Sequence, residues 1–173
     1  MFSNKFNTMT AERFEMLYKE HFSRIFNYIY CRIGNPHTAE DLTAETFVRA
    51  YEYGGSFNPE KGQAAAWLGK IARNVVNDHF KKVAVRPLMV ELSDCLPHDA
   101  DVEEEFLRRE IVCRLLAHIG ALPPRQRELL ALKYLLCLNN REIAILTGMG
   151  ESAVGSALFR IIGTLRKKMA DEV

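Results

Sequence analysis

The sequence predicts an all-α protein: two small helical domains joined by a flexible acidic linker, the second domain containing a helix-turn-helix. Three observations predict it. Apolar residues recur at steps of three and four over long stretches of both halves. No strand-like alternation of apolar and polar residues appears in the first half. The charge divides by segment: residues 1–82 carry 11 Lys+Arg against 9 Asp+Glu, residues 83–110 carry 3 against 8, and residues 111–173 carry 9 against 5. A net charge of +1 thus conceals two mildly basic ends around an acidic middle. The domains are read as 1–82 and 102–173, with 83–101 as the linker.

The first helix runs from Thr10 to Ile33 on Phe14, Leu17, Tyr18, Phe22, Ile25, Phe26 and Ile29. Gly34 ends it, Asn35 caps the next helix and Pro36 opens it. That second helix reaches about Tyr53. It turns Ala39, Leu42, Thr46, Phe47 and Ala50 inward and Asp41, Glu45, Arg49 and Glu52 outward. Residues Gly54 to Gly62 are dense in turn formers and form a loop. A third helix, Gln63 to Lys82, turns Trp67, Leu68, Ile71, Ala72, Val75 and Val76 inward. Lys70, Arg73, Asn74, Asn77 and Lys81 fall on its opposite side.

Pro87, Pro97 and a run of carboxylates without any period make 83–101 an extended segment. Helix returns from Val102 to His118, breaks at Gly120–Pro124, and resumes from Pro124 to about Leu136. Asn139-Asn140-Arg141-Glu142 then reads as a capping box opening a short helix that ends at Thr147. Gly148-Met149-Gly150 turns the chain into a longer helix with Val154, Leu158, Ile161, Leu165 and Met169 inward. Short helix, glycine turn and longer helix make a helix-turn-helix.

Unbroken apolar runs, such as Tyr134–Leu138, fall far short of the roughly 20 residues a membrane helix needs. Met1–Thr10 is polar and lacks the pattern of a signal peptide, so a cytoplasmic protein without membrane insertion is expected. Cys31, Cys95, Cys113 and Cys137 form no C-x-x-C pair and are read as buried free thiols. His21 and His118 are read as core-edge or surface imidazoles. No phosphate loop, His-Glu-x-x-His or Gly-x-Ser-x-Gly motif is present. No enzyme, metal, cofactor or small-molecule substrate is therefore expected. Asp41 and Glu45, one helical turn apart, read as an acid/base pair, a solvated face or a docking face for a basic partner.

The residues also carry a resemblance. Leu122-Pro123-Pro124-Arg125-Gln126-Arg127-Glu128-Leu129-Leu130-x-Leu132, then Arg141-Glu142-Ile143-Ala144, Gly148 and Val154, resemble the C-terminal DNA-binding region of bacterial sigma factors. Ala39 to Ala50 resembles their core-polymerase-binding helix. Phe57 with Trp67-Leu68-x-x-Ile71-Ala72-Arg73-Asn74-x-x-x-Asp78 resembles their promoter-melting segment. Both sets in this order are similar to the extracytoplasmic-function (ECF) group.

The resemblance implies a factor that binds core RNA polymerase and directs it to promoter DNA, with regulation by an anti-sigma protein. Asp41, Ala44 and Glu45 then fall on the polymerase-binding face, against a basic coiled coil of the clamp. The family usually has Gln where this chain has Ala44, which cannot make that hydrogen bond. Phe57, Asn58, Lys61, Arg73, Asn74, Asn77 and Lys81 fall on the minus-ten side, while Trp67 reads as core. A helix-capping or inter-helix hydrogen bond explains Asn74 equally well. Arg141, Ser152, Ser156, Arg160, Arg166 and Lys167 fall on the minus-thirty-five side. Gly155, Ala157 and Ile162 replace basic residues usual in the family, so upstream recognition is expected to be weak or to read shape. The linker is either a solvated tether or a segment threading a positively lined channel. The competing reading is a sigma-like helix-turn-helix regulator that binds polymerase or DNA without supporting initiation.

Overall fold

The structure, a computed structural model, describes residues 10–57, 63–83 and 102–171, with 102–109 described by backbone alone. The linker reading for 84–101 lies outside the described residues, as do Asn58, Lys61 and Cys95. Among the described residues seven α-helices follow one another: α1 (Ala11–Ile33), α2 (Pro36–Glu52), α3 (Ala64–Lys82), α4 (Val102–Gly120), α5 (Pro124–Leu130), α6 (Asn140–Thr147) and α7 (Glu151–Ala170). A 3-10 turn, Gly54–Ser56, follows α2, and no strand occurs among the described residues.

The helix ends obey their local chemistry. Thr10 Oγ1 accepts from the Arg13 N–H at 3.3 Å, and Asn35 Oδ1 from the Thr38 N–H at 2.9 Å. Gly34 closes α1 at φ 74°, a left-handed position that a Cβ disfavours. The capping box is complete: the Glu142 N–H donates to Asn139 Oδ1 at 2.9 Å, and the Asn139 N–H donates to Glu142 Oε2 at 2.8 Å. Asn139→Ala should therefore cost about 1 kcal/mol. For a chain of this size that lowers the thermal midpoint by roughly 2–4 °C. Circular dichroism melting reads the shift, and an unchanged midpoint would show that the cap carries no weight.

α1, α2 and α3 pack on one another around Ile25, Tyr28, Ile29, Phe47, Leu68, Val75 and Val76. Thr43 and Thr46 are buried among them because each hydroxyl donates to the carbonyl four residues back, Ala39 at 2.6 Å and Leu42 at 2.7 Å. The second group packs α7 on α4, α5 and α6 around Leu129, Leu132, Ile143, Val154, Leu158 and Ile161. The helix expected from Pro124 to about Leu136 is present over that span, but its last turn is not α-helical. After Leu130 the chain widens into a π turn, Ala131–Leu135, in which the Leu136 N–H reaches back five residues to Ala131. This turn and α5 pack against α1, so the two groups touch.

The thiols correct one expectation. Cys31 is half-buried, and burial raises its thiol pKa, but Cys113 and Cys137 are exposed. Cys113 lies on the outward side of α4. Cys137 occupies a left-handed turn position, φ 55°, between the π turn and the capping box. No single helix among the described residues is long and apolar enough to cross a membrane.

Candidate polymerase and promoter interfaces

On α2, Asp41, Ala44, Val48 and Glu52 line the exposed side, while Leu42, Thr46, Phe47 and Ala50 are buried. Glu45 is engaged in an ion pair of its own. Arg49 donates to it at 2.5 Å and lies 3.6 Å from Asp78 on α3. Asp78 in turn accepts from Lys81 at 3.1 Å, and that bond, with Arg49 behind it, holds its carboxyl below the usual range. A chain of alternating charge thus ties the acidic face of α2 to α3. Sequence spacing offered the Glu45–Arg49 step but not the step across to Asp78.

The α3 residues divide into two sets. Asn74 and Lys81 are exposed, as the helical period required. Arg73 and Asn77 are not on an open face: Arg73 Nε donates to Glu128 Oε1 at 2.8 Å, and Arg32 Nη2 donates to Asn77 Oδ1 at 3.2 Å. Arg32 also donates through Nη1 to Tyr28 Oη and to Glu128 Oε1, both at 2.9 Å. Arg32 and Glu128 are buried, so their pairing offsets a large desolvation penalty. Burial also pushes the Tyr28 hydroxyl up to about 12.

Phe57 is placed differently from an open loop aromatic. Its ring is buried, tilted against Trp67 at a centroid distance of 5.1 Å and covered by the Arg13 guanidinium at 5.4 Å. The ring is covered by these two groups. Trp67 is half-buried and packs against the core, as its place on the apolar stripe predicted. His21 is buried on α1, and burial lowers its pKa.

In the second group the axes of α6 and α7 cross at 105°, within the range of a helix-turn-helix. Gly148, at φ 70°, makes the turn. Arg141 on α6 and Ser152, Ser156, Arg160, Arg166 and Lys167 on α7 are all exposed. Val154, Leu158, Ile161 and Leu165 form the buried stripe on the other side of α7. Phe159 stands 81% exposed among the outward residues. No group of His, Cys, Asp or Glu among the described residues could hold a metal ion.

Comparison with known proteins adds the decisive observation. Residues 17–85 match the family model Sigma-70 region 2, and residues 114–165 match Sigma-70, region 4. The ECF RNA polymerase sigma factor SigM of Bacillus subtilis (strain 168) is 31% identical over 148 residues, 83% of this chain and 87% of that one. The chain belongs to the ECF RNA polymerase sigma factors.

A further relative is the ECF sigma factor BldN of Streptomyces coelicolor, 35% identical over 164 residues. That match takes in 94% of this sigma factor but 62% of BldN, so the chain spans about three-fifths of that relative's length. The fold is that of the sigma factor RpoE of Bartonella quintana, solved with the anti-sigma factor NepR. The TM-score is 0.70 at 17% identity, over 91% of this chain and 96% of that one. CnrH, solved with the cytosolic domain of CnrY, gives 0.68 at 19% identity, over 95% and 92%. Sigma factors act as transcription initiation factors, not as enzymes in the ordinary sense.

Proposed function

We propose that this sigma factor binds core RNA polymerase through the exposed acidic side of α2 and directs it to promoters. The minus-ten region is opened and held by the α3 side of the first domain. The minus-thirty-five region is bound by α6 and α7. The domains divide as 1–82, 83–101 and 102–173, and the factor works in the cytoplasm without covalent chemistry of its own. An anti-sigma protein regulates it, in keeping with the complex in which the similar RpoE was solved.

One observation carries this reading: regions 2 and 4 occur in order on one chain, and each presents some charged residues outward from a packed helical core. Asp41 on α2, Asn74 and Lys81 on α3, and Arg160, Arg166 and Lys167 on α7 are exposed on separate helices. A polymerase and two promoter elements need three surfaces of that kind.

Permanganate mapping of unpaired thymines in holoenzyme–promoter complexes tests the minus-ten assignment. Asn74→Ala/Lys81→Ala removes a base-edge or sugar contact and a phosphate contact, together about 1–3 kcal/mol. Promoter opening should fall about tenfold while polymerase binding is unchanged. Opening at the wild-type level would exclude this side of α3.

A further inference from the structure

A carboxylate stands in the middle of the surface read as the minus-ten side of α3. Asn74, Asp78 and Lys81 follow one another at steps of four and three, so they share one stripe of that helix. A negative charge on a surface that meets phosphates repels them, and its presence there asks for a second role.

Neither oxygen of Asp78 is free. Oδ1 accepts from Lys81 Nζ at 3.1 Å, and Oδ2 faces Arg49 Nη1 on α2 at 3.6 Å. The two cations keep the carboxyl ionised, the Lys81 bond being the larger cause. Arg49 is fixed at its other end, where Nη2 donates to Glu45 Oε1 at 2.5 Å. Lys81 is the looser cation: its side chain is 77% exposed against 31% for Arg49, a flexible stem ending in a point charge. Asp78 thus stands between an anchored cation on α2 and a mobile one on α3.

Exposed ion pairs of this kind add little to stability, so the fold alone does not account for the arrangement. What it supplies is direction. A lysine held by a carboxylate oxygen has already given up much of its rotamer freedom, and that cost is not met again when the ammonium reaches a phosphate. The ammonium has three N–H donors to share, and Arg49 still balances the carboxylate when Lys81 turns toward DNA.

We propose that Asp78 is a positioning residue for promoter opening: with Arg49 behind it, it holds the Lys81 ammonium where a phosphate of the opened minus-ten strand passes. The proposal rests on the minus-ten reading of α3 given above. It reverses the sign that net charge alone gives. Removing a carboxylate from a DNA-binding surface makes that surface more positive and tightens its hold on phosphates, whereas removing one that aims a lysine weakens it.

Permanganate mapping of holoenzyme complexes reads the sign, at saturating core polymerase and on a promoter selected by run-off transcription. Asp78→Ala and Asp78→Asn should each lower promoter opening about threefold to fivefold. Asp78→Glu keeps a carboxylate and should return most of the loss. Lys81→Ala should lower opening by a similar factor. Asp78→Ala/Lys81→Ala should do no worse than Lys81→Ala alone, since residues that act through one ammonium are not additive. Glu15→Gln removes an exposed carboxylate from α1 and should match the wild type. Circular dichroism verifies the fold of each variant.

Folded Asp78→Ala and Asp78→Asn variants that open the promoter as well as the wild type, or better, overturn the proposal. So does a full further loss from Asp78→Ala on the Lys81→Ala background, which would make Asp78 a brace between α2 and α3 with no bearing on the lysine. Lys81→Ala alone separates the two readings. If it leaves opening at the wild-type level, the minus-ten reading of Lys81 fails and the positioning role falls with it. If it lowers opening while the Asp78 variants do not, the positioning role alone fails.

Discussion

Asp41→Lys/Glu45→Lys should weaken binding to core RNA polymerase by at least about a hundredfold and abolish promoter-directed initiation. Both carboxylates lie on the outward side of α2, away from Leu42, Phe47 and Ala50, so reversing them leaves the core intact. Against a basic docking surface, each reversal replaces attraction by like-charge repulsion, and such juxtapositions cost several kcal/mol. The two positions differ in kind. Asp41 is exposed and forms no ion pair among the described residues, whereas Glu45 must be released from Arg49. Asp41→Lys should therefore carry the larger share, and Glu45→Lys should also loosen the link to Asp78 on α3. Titration of labelled sigma factor with core enzyme measures both; equal binding by the double variant would remove α2 from the docking face.

The second large effect is a gain. Gly155→Lys/Ala157→Arg should tighten binding to the upstream promoter element by about tenfold or more. Both sites flank the outward stripe of α7 that carries Ser152, Ser156 and Phe159. Neither is closed to a larger side chain. A Cβ at Gly155 meets Asn140 Nδ2 at an ordinary 3.4 Å, and the half-buried Ala157 lines a groove with Gln126, Arg160, Ile161 and Thr164. Each new cation that reaches a guanine edge supplies roughly 1–3 kcal/mol. Each that reaches a phosphate steepens the salt dependence by about one counterion. Replacing Gly155 also strengthens the helix by up to about 1 kcal/mol. Footprinting of holoenzyme at two salt concentrations reads both effects, and an unaltered upstream footprint would mean that α7 does not face the groove.

Local chemistry made much of this fold legible in advance. Thr10, Asn35-Pro36 and the Asn139–Glu142 box mark helix starts because capping involves residues three apart, and each cap is formed where the residues place it. The buried stripes of α1, α2, α3 and α7 follow from a 3.6-residue period. The placements that the local pattern does not give share one cause, contact across long sequence separation. Arg73 and Asn77 read as open polar positions because Glu128, 55 residues from Arg73, leaves no trace in the local pattern. Phe57 read as a loop aromatic, and only the packing of Trp67 and Arg13 around it buries the ring.

Other features had no local signal or a misleading one. Gly69 carries no local signal in the sequence, since Leu136, which would lie 2.8 Å from a Cβ there, is 67 residues away. The π turn at Ala131–Leu135 has no turn former to announce it, since Leu129 to Leu136 continues the apolar period of a helix. The exposed thiols of Cys113 and Cys137 run against the usual burial of free cysteine.

The central claim is that this chain turns core RNA polymerase into a promoter-specific enzyme complex. Run-off transcription with purified core polymerase, the sigma factor and a library of promoter fragments tests it most directly. The account predicts transcripts from discrete start sites that share minus-ten and minus-thirty-five sequences, absent without the factor. Core binding that yields no transcript from any fragment would contradict it and favour a sigma-like regulator.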